Sequence, residues 1–266
     1  MWKFLMNELI KLSPRQLAIF QQVRRNGRVL VEELVEMFRT TPQTIRKDLQ
    51  VLADANKIMR FHGGAALLAG VEYTSFEARK HMAAKEKDII GKAVAQLIPN
   101  NIVLMLNIGT TTAAVAQQLK HHAGLKLITD NVSIANDLRT FSGINVMVPG
   151  GSVRRSDGAI IGEAAVEFLG QFRADIAVIG TAAIGDDGTL FDYDLREAHV
   201  ARAIIKNSRH VILAADHTKF DCSAPVQIGH LSQVDKLVTD ECTNSNILAL
   251  CRQHYVELVK ANTASK

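Results

Sequence analysis

Residues 41–49 concentrate side chains that can hydrogen-bond to nucleic acid. The amide of Gln43 can pair with adenine and the guanidinium of Arg46 with guanine, while the hydroxyl and ammonium groups between them can bind phosphates. Thr41 before Pro42 is typical of a helix start, because proline fills a first-turn position whose N–H has no intrahelical partner. We therefore expect a helix whose polar face contacts DNA. The predicted contacts are Thr41, Pro42, Gln43, Thr44, Arg46 and Lys47, with Asp48 as the single acid on that face.

Apolar spacing predicts how this helix is held. Ile45, Leu49 and Leu52 recur at helical intervals and form a stripe opposite the basic face. Upstream, the same spacing over residues 30–38 predicts a short helix that buries Leu30, Leu34 and Phe38. Two short helices joined by a three- to four-residue turn are typical of a helix-turn-helix, whose second helix enters the major groove. The alternative interpretation is a surface helix pair with a solvated charged face.

The segments on either side extend this pattern. Residues 57–65 alternate apolar and basic side chains up to a glycine pair, which predicts a strand and turn lying along the phosphate backbone. Ser13 and Pro14 begin a preceding helix, predicted to turn Leu17, Phe20 and Val23 inward and to end near residues 26–27. The predicted phosphate contacts of this wing are Arg60, His62, Gly63 and Gly64.

The excess of basic over acidic residues is confined to the N-terminal quarter of the chain. Of the 266 residues, which carry a net charge of +4, residues 1–69 hold 11 lysines or arginines against 6 acids, and the rest hold 20 against 21. A polyanion is therefore expected to bind the N-terminal part.

Three cysteines without a CxxC pair argue against a disulfide framework and a zinc site and favour the reduced cytosol. We expect no membrane segment, metal, cofactor or catalytic residue.

Beyond residue 85 the pattern changes to alternating strands and helices. Short apolar runs separated by helical stretches predict a parallel sheet covered on both faces. The fold class is therefore α/β, with domains expected at residues 13–68 and 85–260 and an irregular linker at 69–84. The predicted strands are Ile102–Leu106, Leu125–Thr129, Ile144–Val148, Ile176–Ile179, Val211–Ala214 and Leu237–Thr239.

Ligands of such sheets bind at loops that leave the carboxyl ends of strands. The first of these loops, residues 107–112, passes from strand to helix with a glycine and three threonines, which could cradle a phosphate. It matches neither a Walker loop nor a GxGxxG motif, and a plain helix cap is the competing interpretation. Several such loops together favour a binding site. Its predicted members are Gly109, Thr110, Thr111, Thr112, Asn131, Gly150, Gly151, Glu197, Asp216 and Lys219.

These motifs resemble the DeoR-type family of bacterial transcriptional regulators over residues 15–260. The matching segments are residues 44–49, 60–65, 108–111, 150–151, 161–163 and 216–220. The resemblance implies a winged helix-turn-helix joined to a sugar-phosphate-sensor domain similar in fold to ribose-5-phosphate isomerase. It further implies a homo-oligomeric repressor, a dimer or tetramer, that binds double-stranded operator DNA and is released by a phosphorylated sugar or polyol.

Residues 42–44, 62–67, 171–173 and 207–211 most resemble members of the family that respond to glycerol 3-phosphate, which makes this metabolite the first candidate effector. Three residues depart from the family pattern at expected effector contacts: Asn107 replaces a common Asp, Asp130 a common Asn and Ala201 a common Lys. Two alternatives stay open. One is an isomerase-like enzyme using Asp157, Glu163 or Glu197, and the other is a DNA-binding protein without a ligand.

Overall fold

The computed structural model describes residues 12–26, 28–55, 57–61, 63–66 and 76–262. Within them, the N-terminal part consists of three helices and a small antiparallel sheet of strand order β1-β3-β2. The elements are α1 (Pro14–Asn26), β1 (Arg28–Leu30), α2 (Val31–Phe38), α3 (Pro42–Asp54), β2 (Met59–Phe61) and β3 (Gly64–Ala66). The helix-turn-helix and the strand of the wing were predicted from the sequence, whereas the pairing of β1 with β3 was not.

Two predicted core residues of this part are wrong. Leu17 is 42% exposed, while Ile19 is fully buried, because two residues of helix correspond to about 200° of rotation. Leu30 is 38% exposed because it ends a strand instead of beginning a helix. Successive residues of a strand point to opposite sides, so Val29 is buried and Leu30 faces outward.

The remaining chain is built on a seven-stranded parallel sheet in the order β15-β14-β12-β9-β4-β5-β6. Its strands are β4 (Val103–Leu106), β5 (Leu125–Thr129), β6 (Ile144–Met147), β9 (Ala174–Ile179), β12 (Ser208–Ala214), β14 (Lys236–Thr239) and β15 (Glu257–Lys260). The helices are α4 (Phe76–His81), α5 (Ala84–Gln96), α6 (Thr110–Gln118), α7 (Val132–Leu138), α8 (Glu163–Gly170), α9 (Leu195–Lys206) and α10 (Ser245–Gln253). A hairpin, β7 (Ser152–Val153) with β8 (Ile160–Ile161), and an antiparallel sheet of β10 (Ala183–Ile184), β11 (Thr189–Asp192) and β13 (Val226–His230) complete it.

Alternate residues of each central strand enter two different cores. Leu104 and Leu106 pack with α5, α6 and α7, whereas Met105 between them packs with α8, α9 and α10. Burial on both faces explains why the strands are continuous apolar runs. The six predicted strands are confirmed, with ends shifted by up to three residues.

The chain reverses its direction of travel across the sheet between β4 and β9. From β4 it proceeds to β5 and β6 on one side, and from β9 to β12, β14 and β15 on the other. A crevice forms outside the carboxyl ends of strands at such a point, and the loops there are ligand sites in doubly wound sheets. The loops after β4, β5, β9 and β12 all leave this edge.

The sequence analysis missed β15, the two small antiparallel sheets and α4. Strands β7, β8 and β10 have two residues each, too few to show an alternating pattern. Helix α4 lies inside the segment expected to be an irregular linker. Among the described residues no helix is both long and apolar enough to cross a bilayer, and no group of metal-ligating side chains was found.

Candidate functional sites

The start of α3 has the predicted cap. Thr41 Oγ1 accepts a hydrogen bond from the Thr44 backbone N–H at 3.3 Å, and Pro42 occupies the first turn. This cap fixes the end of the helix that a helix-turn-helix inserts into the groove. The predicted N-cap is therefore confirmed.

The polar face of α3 is open to solvent. Gln43, Arg46 and Lys47 are exposed and Thr44 is half-buried, while Ile45 on the opposite face is completely buried. The helix thus presents its donors and acceptors as one surface. Such a surface can contact base edges without rearrangement of the fold.

Asp48 was expected on this basic face and is instead buried, with 4% of its surface exposed. Its carboxylate accepts hydrogen bonds from Arg15 Nε at 2.6 Å and from Gln16 Nε2 at 3.0 Å. Both donors belong to α1. The acid therefore joins α1 to α3 and leaves the first turns of the helix, which carry Arg46, without an exposed negative charge.

The wing shows two kinds of glycine. Gly63 lies at the exposed turn with φ +89°, a conformation that favours glycine, whereas Gly64 is buried and a Cβ there would lie 2.2 Å from the Val29 carbonyl oxygen. The prediction that Gly64 contacts phosphate is therefore wrong, because β1 covers it. Arg60 is exposed and donates a hydrogen bond to the side chain of Gln50. His62 lies outside the described residues.

A second candidate site lies at the carboxyl edge of the sheet. Helix α6 begins directly after Gly109, and no side chain caps its first N–H groups. A Cβ at Gly109 would lie 2.8 Å from Thr112 Oγ1, which donates to the Gly109 carbonyl at 3.0 Å. A side chain at position 109 would therefore displace the hydroxyl of Thr112. Unsatisfied N–H groups at a helix start attract anions.

Arg154 holds three carboxylates at this edge. Its guanidinium lies 2.9 Å from Asp157 Oδ1, 3.1 Å from Asp194 Oδ2 and 2.5 Å from Glu197 Oε2. Burial opposes the charge of Arg154, but its hydrogen bonds to Asp157 and the charge of Glu197 raise its pKa above the ordinary value. The hairpin β7–β8 is thereby tied to the start of α9.

Asp130 is a deeply buried acid of the site, with 1% of its surface exposed. Burial, and after it the charge of Glu197, raises its pKa well above the ordinary range. Burial also raises the pKa of Glu197, although Arg154 acts in the opposite direction. Asp130 is therefore neutral over a wider pH range than an exposed Asp.

Three buried oxygen atoms at this edge have no hydrogen-bond partner among the described residues. They are Thr129 Oγ1, Asp130 Oδ1 and Asp216 Oδ2, at the ends of β5 and β12. Buried polar atoms are rarely left unsatisfied, and a group of them indicates a place where a polar ligand or water binds. This edge therefore has unused hydrogen-bonding capacity.

Comparison with known proteins identifies both parts of the chain. Residues 15–70 match the DeoR-like helix-turn-helix domain, and residues 82–241 match the DeoR C terminal sensor domain. The glycerol-3-phosphate regulon repressor of Escherichia coli K12 is 41% identical over 249 residues, covering 94% of this chain and 99% of the relative. The glycerol-3-phosphate regulon repressor of Haemophilus influenzae is 42% identical over 253 residues, covering 95% and 98%. The chain belongs to the DeoR family.

Among solved structures, the DeoR sensor domain matches ribose 5-phosphate isomerase from Plasmodium falciparum with a TM-score of 0.37 and 19% identity, over 52% of this chain and 53% of that one.

The DeoR sensor brings together most of its predicted residues, though several have structural partners. Glu197 pairs with Arg154, and Asn131 uses its amide to cap α7 at the Ile134 N–H and to donate to the Asp157 carbonyl at 2.8 Å. Asp216 caps the short helix His217–Asp221, which carries Lys219. Gly150 and Gly151 are exposed at the start of the β7 hairpin. Thr111 and Thr112 are buried in the first turn of α6.

The residues that depart from the family pattern have clear environments. Asn107 is buried and its Oδ1 accepts from the Gly180 N–H at 3.0 Å, which joins the ends of β4 and β9. Ala201 belongs to α9 and is 2% exposed on the core side of that helix, so its expected place among effector contacts is wrong. Asp130 does lie at the site.

The sequence analysis did not place Arg154, Asp194 or Lys87 among the binding residues. Arg154 and Asp157 stand at a spacing that permits pairing, but nothing local indicates that Glu197, 43 positions away, joins them. Two of the carboxylates suggested for an isomerase-like activity, Asp157 and Glu197, are thus bonded to one guanidinium. The third, Glu163, is exposed in the first turn of α8.

Proposed function

We propose that this DeoR-family protein represses genes for the use of glycerol 3-phosphate and leaves its operator when a small phosphorylated polyol binds the sensor domain. The observation that carries the proposal is the 41–42% identity to two glycerol-3-phosphate regulon repressors along nearly the whole chain. The match includes both the DNA-binding and the sensor part, so the regulated genes and the effector are expected to be related to theirs.

The recognition helix α3 supplies the sequence specificity in this proposal. Gln43 and Arg46 are exposed on its first turns and suit bidentate contacts to adenine and guanine, each worth about 1–3 kcal/mol of discrimination. Thr41, Thr44 and Lys47 contact base edges or phosphates beside them. Arg60 and the Gly63 turn hold the phosphate backbone and position the helix without specifying sequence.

The sensor site divides into two lobes of opposite character. The open start of α6, with Lys219 nearby, suits a phosphate, while the carboxyl groups of Asp130 and Glu197 suit the hydroxyl groups of a polyol. A phosphorylated polyol carries both kinds of group. This complementarity supports an effector of that class over an uncharged sugar.

Release of the operator requires the effector to favour an arrangement that spaces two recognition helices wrongly for the two half-sites. The free-energy coupling between sites is typically about 1–3 kcal/mol. The proposal therefore includes a homo-oligomer, a dimer or tetramer, in the cytoplasm. It also keeps the division into a DNA-binding domain at residues 13–68 and a sensor domain at 85–260.

The test is fluorescence anisotropy of the full chain on DNA from its own upstream promoter, with and without glycerol 3-phosphate, at two salt concentrations. We expect tight, salt-sensitive binding that the metabolite weakens and that glycerol leaves unchanged. Arg46→Ala should remove about 1–3 kcal/mol of preference for the promoter over unrelated DNA, whereas the exposed sensor residue Arg139→Ala should not. Equal affinity for promoter and unrelated DNA would contradict the proposal.

A further inference from the structure

A cavity lies beneath helix α4, beside the sensor site. It encloses about 310 Å³, within the size range of small-molecule pockets. Phe76 and Lys80 of α4, Lys87 of α5 and Thr110 of α6 lie on its wall. The open N-terminus of α6 and two lysines therefore lie on the wall of the cavity. Asp88 and Asp137 lie there too, and each accepts a hydrogen bond from a glutamine side chain of α6.

Lys87 is a buried cation, with 4% of its surface exposed. Its ammonium donates to the carbonyl oxygens of Arg79 at 2.5 Å and Met82 at 2.7 Å. An ammonium has three donors, so one remains for another acceptor. Burial lowers the pKa of Lys87 to about 8, and the charges of Lys219 and Arg79 act in the same direction.

Several charges surround this ammonium. Asp216 and Glu86 favour its protonated form, whereas Lys219 and Arg79 repel it. The positive charges of Lys87, Lys219 and Arg79 lie close enough to repel one another. An anion bound between them would stabilise all three. Asp216 Oδ2, buried and without a partner among the described residues, adds an acceptor for a ligand hydroxyl.

We propose that Lys87 binds the phosphate group of the effector, together with the open N-terminus of α6, in the cavity beneath α4. This inference rests on the proposed function and adds to it a residue of the binding site. The ligand class is a small phosphate monoester.

The same ammonium connects the ligand to the DNA-binding part. Helix α4 is the first described element after residues 67–75, which follow the wing. Lys87 holds the C-terminal end of α4 through its hydrogen bond to the Arg79 carbonyl. A phosphate that also binds this ammonium changes that hydrogen bond and with it the position of α4. Occupancy of the cavity is thereby converted into a change at the connection between the two domains.

Isothermal titration of glycerol 3-phosphate, inorganic phosphate and glycerol into the full chain tests this. We expect the wild type to bind glycerol 3-phosphate and, more weakly, inorganic phosphate, with no heat from glycerol. Lys87→Met should weaken glycerol 3-phosphate binding at least tenfold. The matched control Lys85→Met, an exposed lysine of the same helix that does not line the cavity, should bind like the wild type.

A pH profile of the wild type gives a readout that does not depend on the folding of Lys87→Met. A phosphate monoester has its second pKa near 6 and keeps a constant charge above about pH 7.5. The free protein loses the proton of Lys87 near pH 8, whereas the bound phosphate is expected to keep Lys87 protonated. The affinity for glycerol 3-phosphate should therefore fall roughly 20-fold between about pH 7.5 and 9.5. Lys87→Arg, whose guanidinium stays charged, should bind with a much flatter profile.

The outcomes separate the two proposals. Unchanged binding by Lys87→Met, or a wild-type profile that is flat to about pH 9.5, would overturn the role of Lys87 and leave the repressor standing. A wild type that binds neither phosphate compound would overturn both the effector class and the role of Lys87. Phosphate binding that depends on Lys87 in a chain without operator preference would support this inference and contradict the proposed repressor.

Discussion

At the scale of single residues, the DNA-binding face of α3 and the sensor site differ in how their charged side chains are paired. On the first turns of α3, Asp48 is withdrawn into a buried pair with Arg15, so the exposed residues 43, 46 and 47 are polar or basic. The exposed acid Asp54 lies at the other end of the helix. At the sensor edge, by contrast, Arg154 serves three carboxylates, and Asp130 is left as a buried acid with an unpartnered oxygen. Unused hydrogen-bonding capacity is therefore concentrated where a ligand is proposed.

Asp130→Asn tests whether the carboxyl group of Asp130 is protonated, and so neutral, in the folded protein. A carboxyl whose pKa is higher in the folded than in the unfolded state binds a proton that the unfolded chain has lost, so its contribution to stability falls as pH rises above about 4. The amide of Asn cannot ionise. We therefore expect the free energy of unfolding of Asp130→Asn to exceed that of the wild type at about pH 8, with the difference shrinking toward about pH 4.

Urea denaturation at several pH values measures this difference. The exposed acid in Asp137→Asn, on neighbouring helix α7, is the control and should show no comparable pH-dependent gap. A wild type that is more stable than Asp130→Asn at pH 8 would mean that Asp130 is a stabilised carboxylate.

At the scale of elements, α4 occupies the position between the connecting segment and the sensor site. Phe76 is 7% exposed and packs in one cluster with Ile108, of the loop after β4, and with Ala159 and Ile161 of the β7–β8 hairpin. The guanidinium of Arg79 lies 5.7 Å from the centre of its ring. A helix of six residues has little stability of its own, so this docking decides whether α4 is formed.

Phe76→Ala should therefore loosen α4 locally. Removing a buried phenyl ring from a docking site of this size should lower the free energy of local opening by about 2 kcal/mol, equivalent to roughly 30-fold more frequent opening. Limited trypsin digestion followed by mass spectrometry should show faster cleavage after Arg79 and Lys80. Met82→Ala, where the methionine is 45% exposed, should be cleaved like the wild type, and an equal rate for Phe76→Ala would show that Phe76 does not hold α4.

At the scale of the whole molecule, the two parts have different charge and are in contact. The net charge of +5 over residues 1–69 contrasts with −1 over the remainder. The buried cluster of the N-terminal core also includes Ala182, Ala183, Tyr193 and Ala224 of the sensor part. The basic part therefore attracts DNA while packing against an almost neutral sensor.

This charge separation predicts where salt dependence originates. Arg60→Ala should weaken binding to promoter and unrelated DNA alike and reduce the slope of log Kd against log salt by about 1 for each Arg60 that contacts a phosphate. Lys120→Ala, an exposed lysine of the sensor part, should leave the slope unchanged. Anisotropy titrations across a range of salt concentrations measure both, and an equal slope for the wild type and Arg60→Ala would place the arginine away from the DNA backbone.

The sequence alone determined the features that depend on neighbouring residues. The Thr41 cap, the helix-turn-helix, the strand of the wing and six strands of the parallel sheet follow from caps and hydrophobic periods, because these act within a few residues. The carboxyl-end loops were placed for the same reason, since parallel strands bring their ends to one edge. The prediction of an irregular linker at residues 69–84 did not include helix α4, because a helix of six residues is too short to show a hydrophobic period.

Tertiary structure alone decided which charged groups meet. The burial of Asp48 by α1, the covering of Gly64 by β1 and the joining of Arg154 to Glu197 each depend on partners many positions away. Lys87 has no local feature that distinguishes it from the exposed Lys92 of the same helix. Its ammonium is held by the Arg79 and Met82 carbonyls, which reach it only when α4 is docked, and that docking depends on side chains that sequence spacing does not bring together.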